Sequence, residues 1–319
     1  MDAPNAGGRA LRLGSRRSPM AMSQSRRVAD LLTERTGRAV ELVGITTFGD
    51  VSRAQMAQIG GTGVFVSALR ESLVSGEVDF AVHSLKDLPT AQPAGIVLAA
   101  VPPRDDPRDA LVARDGIKLA DLPGGARIGT GSPRRAAQLL LLREDIEVVP
   151  IRGNANTRMD KVLTGELDAV VLACAGLNRI GHLDAISQIF EPEEMLPDPG
   201  QGALAVECRA DDAGLTGLLA AIDDAPTRSA VLAERTLLAA LEAGCSAPVG
   251  AFATLGAGTL RLEGAVFGGN TAGGIGVLRD HGADTPEEAE RLGRALAEQM
   301  LARGAAGLMA APFTGSATD

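Results

Sequence analysis

Short apolar runs alternate with longer amphipathic stretches along the first two thirds of the chain, and the order occurs twice. Leu11–Ser15 (LRLGS), Val40–Ile45 (VELVGI) and Gly76–Ser84 (GEVDFAVHS) have the length and content of buried strands, and a helical stretch, MAMSQSRRVADLL, begins at Met20. Arg127–Thr130 (RIGT), Ile146–Ile151 (IEVVPI) and Gly165–Ala173 (GELDAVVLA) repeat that order, with the helical stretch RRAAQLLLLRED after the first. Such alternation predicts parallel sheets covered by helices, here as two α/β lobes of similar plan. From about Ala225 the pattern changes. A helix (TRSAVLAERTLLAALEAG) ending at Gly244 precedes VGAFATL, TLRLEGAVF and GGIGVLRD, alternating strands that predict a small antiparallel sheet. Thr285-Pro-Glu-Glu288 reads as a capping box opening a last amphipathic helix. The expected fold class is therefore α/β, with two lobes plus a small α+β C-terminal domain.

Two Pro-rich segments, VPPRDDPRD (101–109) and LPDPGQGA (196–203), separate the lobes, and Leu204–Cys208 (LAVEC) is a strand able to return to the first. The expected division is residues 9–103 with 203–221, residues 104–202, and residues 222–315, the two crossings making a hinge. Ser18-Pro19 and Ser132-Pro133 each open a lobe's first helix as cap and first helical residue. The N–H groups and dipole of such a helix end favour anions, and in open α/β sheets ligands sit beyond the carboxyl ends of strands. Both helix starts are thus expected at one cleft.

Composition sharpens this picture. The net charge of -9 over 319 residues, with no Trp or Tyr and only 7 Phe, argues against nucleic-acid stacking platforms and membrane-interface belts. No apolar run approaches the ~18 residues that span a bilayer, and the N-terminus lacks an apolar signal core, so a cytoplasmic protein is expected. Cys174, Cys208 and Cys245 lie far apart, as do the histidines, which fits neither a disulfide framework nor a metal site. Of the 31 basic residues 28 are arginine. Arg16, Arg17, Arg134, Arg135, Arg152, Arg158 and Arg179 all fall near expected strand ends, where guanidinium groups suit bidentate capture of carboxylates or phosphates.

Three further features carry candidate chemistry. In His83-Ser-Leu-Lys86-Asp87-Leu-Pro89 an apolar strand runs into a Lys-Asp pair; among arginines Asp87 would stay ionised and could steady a cationic ligand, although an ordinary surface ion pair has the same spacing. Cys245 sits in a turn after a helix, a place for a nucleophile, whereas Cys174 and Cys208 read as strand residues. Thr47–Phe65 is long, Gly-containing and weakly periodic, as a lid or a plain connection would be.

Taken together, the stretches LRLGSRRSPMAMSQ, TFGD, GGTGVFV, VDFAVHSLKDLPT, RDDPRDALV, IGTGSPRRAAQL, IRGNANTR, DAVVLACAGLNRIG, PGQGALAVECR and ERTLLAALEAGCSAPVGAFA resemble the porphobilinogen deaminase (hydroxymethylbilane synthase) family, in the family's order, from about residue 10 to the C-terminal end. The resemblance implies two lobes like type II periplasmic binding proteins plus a small third domain. It implies a transferase of heme, chlorophyll and corrin biosynthesis that joins four porphobilinogens head to tail onto a covalent dipyrromethane primer, releasing ammonia. Cys245 then holds the primer by a thioether, Asp87 and its neighbour Lys86 are catalytic, and Ser84, Thr130, Ser132, Arg134 and Arg135 contact the primer. Arg16, Ser18, Arg152, Arg158 and Arg179 bind the acetate and propionate groups of substrate and growing chain. A monomer without nucleic-acid or membrane partners is expected.

The chain departs from the family pattern at Thr62, Ala68, Arg70, Gly131, Asn154-Ala155-Asn156 and Asp198, positions that bear on rate, lid closure and chain release. Two other readings share the bilobal plan: a non-catalytic binding protein for an anionic metabolite, which needs neither Cys245 nor Asp87, and an inactive paralogue.

Overall fold

The computed structural model describes residues 8–45, 63–244, 247–269 and 274–311. In chain order the strands are β1 (Leu11–Arg16), β2 (Val40–Ile45), β3 (Phe80–Ser84), β4 (Ile96–Ala100), β5 (Asp109–Ala113), β6 (Arg127–Thr130), β7 (Glu147–Pro150), β8 (Ala169–Ala173), β9 (Gln188–Phe190), β10 (Leu204–Arg209), β11 (Val249–Gly256), β12 (Thr259–Gly269) and β13 (Ile275–Asp284). The helices are α1 (Pro19–Thr36), α2 (Gly63–Val74), α3 (Pro133–Leu142), α4 (Ala155–Leu163), α5 (Cys174–Ile180), α6 (Ala213–Leu219), α7 (Ala225–Ala240), α8 (Ala289–Ala302) and α9 (Ala305–Ala310). Contacts divide the chain into two units, residues 1–104 with 203–228 and residues 105–202 with 229–319.

The first unit is built on a sheet of order β2-β1-β3-β10-β4. β1 runs parallel to both β2 and β3, so their carboxyl ends share one edge. Successive residues of β3 face opposite layers, which is why the strand reads as a continuous apolar run. Phe80 and Val82 join Leu13, Val28 and Leu32 on the α1 side, and Ala81 joins Leu69, Leu73 and Val78 on the α2 side. Each fully buried Leu or Phe of this kind contributes roughly 1.5–3 kcal/mol. Ser18 caps α1 by accepting from Ala21 N at 3.3 Å, and the helix stops at Gly37, whose φ of 68° suits glycine.

The second unit repeats the plan in a sheet of order β7-β6-β8-β5-β9, where β6 is parallel to β7 and β8. Here Ser132 caps α3 through Arg135 N at 3.4 Å. The same unit holds an antiparallel sheet, β11-β12-β13, with its own core against α7 and α8 made from Ala233, Leu237, Leu262, Leu296 and Met300. Buried Glu234 on α7 accepts from Gly200 N at 2.6 Å and Ala253 N at 2.9 Å, which ties the 196–202 segment to β11.

Three expectations are corrected, and one falls largely outside the described residues. The two α/β sheets are mixed rather than parallel, because β10 and β5 enter them antiparallel. Cys174 is not a strand residue but the buried first residue of α5. Thr285 flanks a 3-10 turn (Pro286–Glu288) without a side-chain cap bond, so the capping box does not form. The lid expected at Thr47–Phe65 lies outside the described residues up to Thr62, and from Gly63 the chain is α2. Among the described residues no helix is long and apolar enough to cross a membrane.

Candidate active site

Two strand edges carry the candidate residues, one in each unit. In the first unit β1 ends at Arg16, followed by Ser18, and the parallel neighbour β3 ends at Ser84. Leu85–Asp87 then form one 3-10 turn, anchored where Leu85 N donates to Ala203 O at 3.0 Å. Lys86 and Asp87 are partly exposed on this turn, whereas Leu85 between them and the strand is fully buried. The apolar residue pins the turn and leaves its polar neighbours at the surface of the edge. Ser84 Oγ accepts from Gln24 Nε2 of α1 at 2.8 Å, a link with no local sequence signal.

Just inside this edge lies a buried ionic cluster. Arg70 of α2 grips Glu207 of β10 with both arms of its guanidinium, Nε to Oε2 at 3.0 Å and Nη2 to Oε1 at 2.7 Å. His83 Nε2 stands 3.3 Å from the same Oε2, within ion-pair distance but outside hydrogen-bond geometry. Burial opposes ionisation of Glu207, but His83 and Arg70 outweigh it and draw its pKa down to about 2. Arg70, a departure from the family pattern, thus has a defined partner.

In the second unit β5 runs antiparallel to β8, so its first residue, Asp109, pairs with Ala173 at the carboxyl end of β8. That brings Asp109 to the mouth of α3. Asp109 is fully buried and takes Arg135 Nη2 at 2.6 Å on Oδ1 and Arg134 Nη1 at 2.8 Å on Oδ2. Gln201 Nε2 also donates to Oδ1, at 2.8 Å. Burial alone would raise the pKa of Asp109; the charges of Arg134 and Arg135 reverse this and hold it well below the usual carboxylate range. Arg134 donates further to Leu196 O at 2.7 Å, yet its buried Nε has no hydrogen-bond partner among the described residues. The expectation that Arg134 and Arg135 stand open at the helix mouth is therefore modified: both guanidinium groups are committed to Asp109.

Arg158 of α4 is near this pair. Its Nε donates to Gly153 O at 2.9 Å, and a Cβ placed on Gly131 would lie 3.9 Å from its Nη2. Burial, then the like charge of Arg135, lowers the pKa of Arg158 from its ordinary value. A guanidinium remains charged nonetheless, and among the described residues Arg158 has no acidic partner. Arg152 is exposed just after β7. Thr130 is buried, its Oγ1 accepting from Ser132 N at 3.2 Å. Arg179 is buried away from solvent, with Nε on Asp105 Oδ2 at 2.9 Å and Nη2 on Gly202 O at 2.6 Å. With Arg134 and Arg135 on the one carboxylate of Asp109 and Arg158 beside them without an acid, this edge holds a surplus of positive charge that suits carboxylate groups. Cys245 lies outside the described residues. Cys174 is buried, and burial pushes its thiol up to about 12, so it is no nucleophile.

Residues 11–216 match the family model for porphobilinogen deaminase, dipyromethane cofactor binding domain, and residues 229–302 match the C-terminal domain of the same enzyme. The chain belongs to the porphobilinogen deaminase family. It is 61% identical to porphobilinogen deaminase of Thermobifida fusca, covering 92% of this chain and 94% of the relative. It is 60% identical to porphobilinogen deaminase 1 of Streptomyces coelicolor, covering 94% and 98%. Among solved structures, a periplasmic substrate-binding protein of an ABC transporter from Coxiella burnetii is similar at a TM-score of 0.42 and 16% identity, over 70% of this chain and 94% of that one.

Proposed function

We infer that the two strand edges divide the work of the family reaction, with Asp87 and Lys86 acting on the reacting pyrrole and the arginines holding its acid groups. The reaction is a transfer: porphobilinogen units condense head to tail onto a dipyrromethane primer, ammonia leaves, and hydroxymethylbilane is formed for tetrapyrrole synthesis. The observation that carries the assignment of residues is the cluster in which Arg134 and Arg135 meet the single carboxylate of Asp109 while Arg158, close enough to feel the charge of Arg135, pairs with no acid among the described residues.

As ammonia leaves porphobilinogen, positive charge develops on the pyrrole. A preorganised carboxylate at Asp87 stabilises that charge, and such a group is worth on the order of 10²–10³ in rate. Lys86 adds an ammonium beside it for the ring's acid groups. The dipyrromethane, held through Cys245, supplies the pyrrole carbon on which the chain grows. Ser84, Thr130, Ser132, Arg134 and Arg135 are assigned to holding it. The buried Nε–H of Arg134, unpartnered among the described residues, is left for that purpose. Arg16, Ser18, Arg152 and Arg158 are assigned to the carboxylates of substrate and product chain; Arg179, buried on Asp105 and Gly202 O, would reach them only by releasing those partners. The assignment carries with it a three-domain division at 9–103 with 203–221, 104–202 and 222–315, and a cytoplasmic monomer.

Intact-protein mass spectrometry tests the reading. Purified protein is expected to carry an acid-stable increment of two pyrrole units, absent from Cys245→Ser. Asp87→Asn is expected to keep the increment and stall turnover. Near-normal turnover by Asp87→Asn, or wild-type protein unable to acquire the increment from porphobilinogen, refutes it.

A further inference from the structure

The Arg70–Glu207–His83 cluster joins three elements behind the catalytic turn: α2, β10 and β3. Glu207 and His83 are withdrawn from solvent, to 3% and 5% exposure, and Arg70 reaches them from a partly buried position. Well-packed apolar groups of the same volume would serve stability as well as a buried ion pair does. What the ionic version adds is geometry, because a two-armed guanidinium grip fixes the carboxylate in position and plane.

A second observation points the same way. The pairing of β10 with β4 shifts register between Val206 and Glu207, the kind of irregularity by which sheets re-aim a side chain. The site of action is equally specific. His83 is the last buried residue of β3 before Ser84, whose pairing with Leu204 closes the ladder, and the Lys86–Asp87 turn begins one residue later. Whatever fixes His83 therefore fixes the direction in which the strand delivers that turn.

We propose that Glu207, locked by Arg70, is a positioning residue for the Lys86–Asp87 turn and acts on it through His83. The proposal rests on the reading that Asp87 meets the substrate. Glu207 touches no substrate itself; it sets where Asp87 stands. A displacement of about 1 Å at a reacting group can cost on the order of 10²-fold in rate, so a partial loosening should cost about tenfold.

The test uses the primed holoenzyme and four variants, with kcat, KM for porphobilinogen and melting temperature measured on each. His83→Leu removes the imidazole that faces Glu207; kcat is expected to fall about tenfold with KM unchanged within about twofold and the primer increment intact. His83→Gln keeps an N–H donor and is expected to recover most of that loss, which a packing role would not do. The double variant Arg70→Met with Glu207→Gln removes both charges together and avoids stranding one of them; it should reproduce the same loss. Combined with His83→Leu it should lose nothing more, because the three residues act in one line. Wild-type kcat in His83→Leu and in the double variant overturns the proposal, as does a His83→Gln enzyme as slow as His83→Leu. Asp87→Asn is assayed alongside. If it stalls while the others run at wild-type rate, only the positioning role falls; if it turns over normally, the reading of Asp87 falls and the proposal with it.

Discussion

Replacing Asp109 by Asn gives the most direct test of how the second unit holds its arginines. The change keeps the shape of the side chain and removes its charge. The carboxylate is fully buried, and its partners Arg134 and Arg135 are 2% and 6% exposed, so solvent cannot compensate either guanidinium. Breaking a buried pair by removing one partner costs about 3–5 kcal/mol. With roughly 2–4 °C per kcal/mol for a unit of this size, the melting temperature should drop by ~6–20 °C. Differential scanning calorimetry on primed and unprimed protein measures it. The depressed pKa of Asp109 sets the pH dependence. Its contribution is present above the carboxylate's ordinary value and fades as pH falls toward the folded value, so wild type and variant should converge in acid. A drop of less than about 2 °C would refute the reasoning, since the two arginines would then need no internal counter-ion.

Other outcomes follow from the same structure. Glu207, with a folded pKa of about 2 against an ordinary 4.5, stabilises fully above pH 4.5 and loses that contribution as pH falls toward 2; about 2 kcal/mol of it is gone by pH 3, visible as a lower urea midpoint at pH 3 than at pH 6 that flattens in Glu207→Gln. Ser18→Ala deletes the cap of α1 and should cost about 1 kcal/mol in urea unfolding. Gly131→Ser sets a Cβ 2.6 Å from the Ile151 carbonyl, so the turn must shift; a cost of about 1–3 kcal/mol and a raised KM are expected, and unchanged melting and KM would show that the turn accommodates the residue freely. Arg158→Leu should raise KM for porphobilinogen about tenfold with little change in melting temperature, because its guanidinium pairs with no acid among the described residues.

What was legible in the sequence was local. Val40–Ile45 appears as β2 residue for residue, and both Ser-Pro steps open helices through side-chain caps, because strand content and capping depend on a few neighbouring residues. The Lys86–Asp87 turn could be read for the same reason, an apolar run ending abruptly in charge. What could not be read was pairing across long separations. Asp109 meets Arg135 across 26 residues because β5 enters its sheet antiparallel, and nothing in the local pattern states a strand's direction. One signal was present: a carboxylate opening an otherwise apolar strand, DALVA, has to find a cation. Glu207 within LAVECR carried the same signal, and its partner Arg70 lies 137 residues away.

The place of β10 between β3 and β4 has a consequence for biosynthesis. When the ribosome has delivered Ala100, the first sheet lacks its inner strand, and about 100 residues must still be translated before Leu204 emerges. At ~5–20 residues per second that interval lasts roughly 5–20 s, during which β3 and β4 present unsatisfied backbone edges. The nascent chain is therefore most vulnerable to intermolecular pairing in this window, and a chaperone that shields strand edges would act on it there.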